Sequence, residues 1–314
     1  MAEVVKPTPT ANQLLVKVRA TTVNQTDAHY RSGTPWLMRP LVSGLPRPKV
    51  KVLGCEFAGQ VEATGSAVAS FHPGQRVFGY VEGPFGGHAE YLVVQEDGNV
   101  AVVPDRVSDE QAAAATEGSH YALSCLRATG VAAGHHVLVY GATGAIGSAA
   151  VQLLKVIGAR VTAVCATPNV ELVRDLGADK VVDYLTADFT VDDLRYDVVL
   201  DAAGKSTYGR CRQLLKPRGR YTSTGSGPAY QNALLLVVTA PSRGKKVVFG
   251  YPRISQATVS YLGELMKSGQ FTPVIDRRYP LDQIVEAYRY VETHQKIGNV
   301  VLVVDDAAVS KESP

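Results

Sequence analysis

The stretch Val137-Leu138-Val139-Tyr140-Gly141-Ala142-Thr143-Gly144-Ala145-Ile146-Gly147-Ser148 has the residue types and spacing to bind a pyrophosphate. An apolar strand runs into a glycine-rich turn, and an apolar, Ala-containing helix follows. Gly144 has no side chain to keep a phosphate away, and Gly147 lets the helix lie close to the strand. The free N–H groups and positive dipole end of the helix N-terminus would face the phosphates. The usual G-x-G-x-x-G pattern is altered, because Ala142 stands at its first glycine with Gly141 just before it. The expected contacts are Gly141, Ala142, Thr143, Gly144, Ala145, Ile146 and Gly147. An ordinary glycine-containing strand-to-helix turn is the alternative. The strand before, the helix after and a second strand on schedule favour the dinucleotide site.

A second position bears on which dinucleotide. A carboxylate at the end of the following strand, ~20 residues on, would bond a ribose 2′-OH and repel a 2′-phosphate. Here the sequence is Val164-Cys165-Ala166-Thr167-Pro168-Asn169, with no carboxylate. Ala166, Thr167 and Asn169 are the expected lining, and Thr167 and Asn169 can donate hydrogen bonds. Tyr184 or Arg174 could reach a phosphate, although Arg174 suits a solvated helix face better. NADPH is therefore expected over NADH. Ala202, Ala203 and Gly204 follow another apolar run and are small enough for a cofactor to approach at the carboxyl end of a strand.

The elements that would position these residues fall into three stretches. Residues 14–20, 56–63, 75–81 and 89–94 are short strand-like runs bounded by Gly, Pro and polar clusters, which suggests a folded-over sheet or barrel. Ser108 and Gln111 have capping-box spacing. From there strands (137–140, 160–165, 180–183, 197–201, 220–223 and 246–250) alternate with helices (145–157 and 169–176), the pattern of a parallel doubly wound sheet. Ile284, Ala287, Tyr288 and Val291 recur at helical spacing behind a possible cap at Asp282, and 299–304 reads as a last strand returning to the first domain. The expected division is 1–110 for a β-rich catalytic domain, 111–268 for a Rossmann dinucleotide-binding domain, and 269–314 for the return to the catalytic domain.

The chain has 314 residues, 46% apolar and 19% charged, enough to bury a proper core. A net charge of +3 with no basic block does not indicate nucleic acid or a membrane surface. The apolar run at 233–238 is too short to span a bilayer, and the N-terminus has no signal-peptide pattern. A cytoplasmic location is expected. Cys55, Cys125, Cys165 and Cys211 stand alone, without a CxxC-like cluster, so reduced thiols are expected and no metal site.

The ordered set Val23-Asn24-Gln25-Thr26-Asp27, Leu53-Gly54-Cys55-Glu56-Phe57-Ala58-Gly59, Gly74-Gln75-Arg76-Val77-Phe78-Gly79, Gly87-His88-Ala89-Glu90-Tyr91, the glycine loop, Leu176-Gly177-Ala178-Asp179 and Gly298-Asn299-Val300-Val301-Leu302 covers nearly the whole chain. It resembles the medium-chain dehydrogenase/reductase superfamily, in its zinc-independent, zeta-crystallin-like quinone oxidoreductase branch. The resemblance implies an α/β protein with a GroES-like catalytic domain beside the Rossmann domain. Zinc-dependent relatives carry Cys where Asn24 stands and His where Cys55 stands, so no catalytic zinc is implied.

The implied reaction is hydride transfer from NADPH to a quinone or an α,β-unsaturated carbonyl. Asn24 would contact the nicotinamide side of the cofactor, with Ser119, Phe249 and Asn299 also near the cofactor. The substrate is expected between the domains, near Asn24, Tyr30, Trp36, Tyr121 and Phe249, and Tyr30 or Tyr121 could pass a proton. His88, close to Glu90, could act as an acid, but a turn histidine facing water is the simpler expectation. Two departures stand out. Relatives begin earlier, so either the start is misassigned or this catalytic domain lacks an edge strand, a pairing liability. Glu117-Gly118-Ser119-His120-Tyr121-Ala122 also replaces a Leu-Thr-Ala-Tyr pattern. A homodimer through cofactor-domain strands such as 247–249 is implied. The rivals are an alcohol dehydrogenase of the same superfamily, which would need zinc, and a cofactor-binding protein without turnover.

Overall fold

The computed structural model describes residues 3–33, 50–83 and 85–304. The chain divides into two compact units. One comprises residues up to Glu117 together with those from Ile254 onward, and the other is Gly118–Arg253. The boundaries therefore fall at 117/118 and 253/254, not at the expected 110/111 and 268/269.

The first unit is built on strands β1 (Gln13–Val23), β2 (Glu56–Thr64), β3 (Arg76–Tyr80), β4 (Tyr91–Gln95), β5 (Val100–Val102), β12 (Ile275–Pro280) and β13 (Asn299–Val303). They form one sheet in the order β12-β13-β1-β2-β3-β5, with β4 also paired to β1. The pairings are antiparallel except for β12 with β13. Leu14, Val16 and Val18 alternate inward along β1 and pack on Phe57, Val61, Val77 and Leu92, as period-2 patterning requires. β1 lies inside the sheet, bonded to β2, β4 and β13.

Among the described residues four helices belong with this sheet. They are α1 (Gln25–Ser32), α2 (Asp109–Ala113), and the later helices Gln256–Lys267 and Ile284–Glu292, called α8 and α9 below. The Ser108–Gln111 capping box forms at the start of α2. The α8 segment was assigned from sequence to the cofactor domain. It joins the first unit because Gln256 Nε2 bonds the carbonyls of Glu96 and Val100 and Gly263 lies against Phe78 and Pro104. Asp282 does not cap α9. It sits in a 3-10 turn, and the N-cap is Gln283, without a side-chain bond. Ala287, Tyr288 and Val291 face inward as the periodicity predicts. The short strand β5 escaped the sequence analysis, since three residues carry too little pattern.

The second unit is a parallel sheet in the order β11-β10-β9-β6-β7-β8, formed by β6 (His136–Tyr140), β7 (Arg160–Cys165), β8 (Lys180–Asp183), β9 (Tyr196–Asp201), β10 (Leu215–Ser223) and β11 (Lys246–Val247). Its helices are α3 (Glu117–Thr129), α4 (Ala145–Ile157), α5 (Val170–Asp175), α6 (Tyr208–Cys211) and α7 (Gln231–Thr239). This is the doubly wound order, with its switch point between β6 and β9. Strand β10 starts earlier than expected and tolerates Pro217 and Gly219 through a register irregularity between Leu215 and Arg220. Strand β11 ends at Val247, so Phe249 lies beyond it.

Candidate active site

The glycine turn has the geometry that a pyrophosphate needs. The N–H groups of Gly141 and Ala142 both bond Val164 O, anchoring the turn to β7. Gly141 has φ +77°, a conformation open to glycine, and a Cβ there would lie 2.6 Å from Ala203 Cβ. At Gly147 a Cβ would lie 2.0 Å from Gly141 O, so α4 touches the turn at this residue. At Gly144 a Cβ would meet nothing nearer than 3.9 Å. Gly144 is the N-cap of α4 and offers no side chain to its N–H groups. The first turn of a helix has no internal acceptors. The N–H groups of Ala145, Ile146 and Gly147 are therefore available to an anion, with Thr143 and Ala145 half-buried at the rim. Ala142 is fully buried beneath the turn. These residues fit a bound dinucleotide.

The loops at the carboxyl ends of neighbouring strands gather around this turn. Ala202 N bonds Tyr140 O at 2.9 Å and Ala203 lies beside Gly141, while Gly204 lies against Gly225. Asp201 holds that loop by accepting from the N–H groups of Ser206 and Lys205 and from the hydroxyls of Tyr221 and Ser223. Ala166 and Asn169 are half-buried and Thr167 exposed after β7. Thr167 Oγ1 donates to Asp183 Oδ2 at 2.5 Å. A carboxylate thus sits beside Thr167, supplied by the end of β8. It was invisible to a search along the residues after β7 alone. Tyr184 is half exposed. Arg174 pairs with Glu171 on the solvent face of α5. Phe249 is half exposed, and the following Gly250 lies against α3 at Ser124.

Helix α3 carries Ser119 and Tyr121. Ser119 is buried and its Oγ has no partner among the described residues. Tyr121 is half-buried, with its ring 4.5 Å from that of His120. A Cβ on Gly118 would lie 2.5 Å from Ala145 O, so the first turn of α3 rests on the start of α4.

The remaining predicted residues lie in the first unit. Asn24 is the N-cap of α1. Its side chain accepts from Asp27 N, and Asp27 returns a bond to Asn24 N. Tyr30 packs edge-on against Phe85 at 4.6 Å; burial and the nearby Glu82 make it a weaker acid than a free tyrosine. Asn299 is buried, with its amide nitrogen bonded to Val274 O. Trp36 lies outside the described residues. His88 does not simply face water. Its Nε2 meets Thr22 O at 2.8 Å and its Nδ1 meets Tyr288 OH at 3.3 Å, while Glu90 is exposed and takes no part.

Sequence reasoning missed a group of buried carboxyls here. Glu56 is fully buried and accepts from Thr116 N, Thr116 Oγ1 and Glu117 N on one oxygen and Thr22 Oγ1 on the other. Glu117 accepts from Thr26 Oγ1 at 2.9 Å on Oε1, while its buried Oε2 has no partner among the described residues. Burial raises both carboxyls, Glu117 further because Glu56 stands beside it. Burial likewise raises Asp27, which His88 partly offsets. Both glutamates stood within quoted motifs; the available signal was a carboxylate inside an otherwise apolar or small-residue run.

The family model described as "Alcohol dehydrogenase GroES-like domain" matches residues 10–105, and "Zinc-binding dehydrogenase" matches 176–302. A chloroplastic quinone-oxidoreductase homolog of Spinacia oleracea is 30% identical, over 96% of this chain and 92% of that one. The chain belongs to the quinone oxidoreductase branch of the medium-chain dehydrogenase/reductase superfamily. A chloroplastic NADPH-dependent alkenal/one oxidoreductase of Arabidopsis thaliana is 33% identical, over 96% of this chain and 74% of that protein. The solved quinone oxidoreductase of Coxiella burnetii superposes with a TM-score of 0.83 at 26% identity, covering 96% of this chain and 93% of its own. As a member of this dehydrogenase/reductase family the protein is an oxidoreductase with a nicotinamide cofactor.

The zinc in the family description does not fit these residues. The Asn24 side chain is engaged in its cap, and Cys55 Sγ lies 3.5 Å from Asp27 Oδ1, its thiol held protonated by burial and by Asp27. Both oxygens of Glu56 are taken. Among the described residues no group of three or more His, Cys, Asp or Glu could hold a metal ion. Nor is any described helix long and apolar enough to cross a membrane.

Proposed function

We propose that the protein uses NADPH to reduce quinones or α,β-unsaturated carbonyl compounds without a metal. The observation that carries this reading is the pairing of an open glycine turn, with unbonded N–H groups at α4, and residues at the zinc position that bond to one another and leave no ligand set. Alcohol oxidation in this superfamily needs a metal to acidify the alcohol, and these residues cannot hold one.

Asn24, Ser119, Tyr121, Phe249 and Asn299 are assigned to the nicotinamide end of the cofactor, residues 141–147 to the pyrophosphate, and Ala166, Thr167, Asn169, Tyr184 and Ala202–Gly204 to the remainder. The bound nicotinamide supplies the hydride. The protein's part is to orient it and to offer donors to the oxygen that gains charge. Ser119 Oγ, buried and unpaired, suits contact with the ligand. Tyr30 and Tyr121 are retained as proton-passing candidates.

NADPH is favoured by the absence of a carboxylate directly after β7 and by the named cofactor of the Arabidopsis relative. The contact of Asp183 with Thr167 favours NADH as a second reading. Titrating both cofactors into the protein and following nicotinamide fluorescence separates them; tighter NADH binding would reverse the assignment.

We also assign a homodimer and a cytoplasmic location. Leu234, Val237 and Val238 project from α7 at 66%, 71% and 60% exposure, an apolar face that suits a partner, near the edge strand β11. The four cysteines are free and buried, which suits a reducing compartment.

A further inference from the structure

Glu117 has a buried oxygen with no hydrogen-bond partner among the described residues, and its other oxygen is held in place. Thr26, two residues from Asn24, holds its Oε1. Ser119, with its own buried and unpaired hydroxyl, follows two residues later on the same helical turn.

The bonding pattern shows which of the two neighbouring carboxyls carries a proton. Every contact of Glu56 is a donor aimed at an oxygen, two of them backbone N–H groups, the surroundings of an ionised carboxylate. Two adjacent buried carboxyls do not ionise together. The proton therefore resides on Glu117, whose Oε1 is the accepting carbonyl oxygen. Oε2–H is then a buried donor without an acceptor among the described residues, an arrangement that is costly unless a ligand supplies the acceptor. The charges around it are Glu56 and Asp27, which favour the neutral form, and Lys296, which opposes it while bonded to Gly298 O.

We propose that Glu117 is a catalytic residue, the acid that protonates the carbonyl oxygen of an α,β-unsaturated substrate as hydride reaches the β-carbon. This rests on the reductase function proposed above. The hydride pair forms the new C–H bond at the β-carbon, and the nicotinamide is oxidised by two electrons. The C=C π pair moves to join the α-carbon and the carbonyl carbon, and the C=O π pair moves onto oxygen. That oxygen takes the Oε2 proton, the O–H bond of Glu117 breaks, and a carboxylate remains for solvent to reprotonate. The product leaves as an enol and returns to the saturated carbonyl compound in water.

The test combines infrared spectroscopy with kinetics on the native protein and Glu117→Gln. Expected is a protonated-carboxyl C=O stretch in the native protein at neutral pH that is missing from the variant. The variant's kcat for an enal should fall about a hundredfold or more, with NADPH affinity by fluorescence unchanged. Native kcat should decline as pH rises through the raised pKa of Glu117, and the variant should lose that limb. A native spectrum without the band overturns the proposal even if the variant fails to fold. A variant matching the native kcat and pH profile overturns the role of Glu117 alone. A native protein that reduces a quinone but no enal overturns this role, and one that binds NADPH but reduces neither overturns the proposed function with it.

Discussion

The carboxyl groups of Glu56 and Glu117 are the same in chemistry and differ only in what surrounds them. Glu117, raised by burial and by Glu56, binds its proton more tightly in the native state than when unfolded. Its contribution to stability is complete below the unfolded value near 4.5 and is lost as pH rises through the folded value. Stability should fall across that window by up to about 1.4 kcal/mol per pH unit, whereas Glu117→Gln should lack this component. Urea midpoints measured against pH should diverge in favour of the variant, and parallel curves would refute the assignment. The two glycines offer a sharper contrast. Gly147→Ala forces a Cβ onto Gly141 O and should cost about 1–3 kcal/mol. Gly144→Ala enters open space and should leave the urea midpoint unchanged while weakening cofactor binding. A Gly144→Ala protein that binds NADPH as tightly as the native one would remove the pyrophosphate from this turn. At this scale the glycine turn was legible, because glycine types and spacing are themselves the signal. The acidic group was not, because burial and bonding partners depend on contacts such as Glu56 with Thr116 that lie far apart in sequence.

At the scale of elements, the capping boxes at Asn24 and Ser108 determine where two helices begin. Ser108 was readable from its spacing. Asn24 was read for chemistry, and the structure adds a structural duty that complicates any test of it. Asn24→Ala should cost about 1 kcal/mol through the lost cap alone. Asn24→Ser keeps a capping oxygen and removes the amide, so a fall in kcat at native stability in this variant would separate the nicotinamide role from the cap. Equal kcat would leave Asn24 a cap only. The βαβ alternation from 136 to 201 was legible because buried parallel strands are apolar runs at regular spacing. Helices α7 and α8 were not assigned from sequence. The α7 face is apolar yet exposed, so its pattern does not point to a core, and α8 joins the first unit through bonds to Glu96 and Val100 that its own sequence does not announce.

At the scale of the whole molecule, the thiols and the α7 face give separate tests. Burial pushes Cys165 and Cys211 up to about 11, and all four cysteines are buried. The native protein should therefore react slowly with a thiol reagent and fully once denatured; a fast-reacting native thiol would contradict the packing described. Leu234→Lys with Val237→Lys should convert a dimer to monomer in sedimentation without shifting the unfolding midpoint by more than about 0.5 kcal/mol, as expected of exposed positions. A native monomer would dismiss the dimer. Metal-free reduction by a nicotinamide cofactor is measured by the loss of reduced-nicotinamide absorbance in chelator-treated buffer. NADPH and NADH are compared side by side against an ortho-quinone and a short enal. Oxidation of NADPH by either acceptor, undiminished by the chelator, is the predicted result. A folded protein that binds NADPH and oxidises it with neither acceptor, or that needs added zinc to do so, would contradict the account.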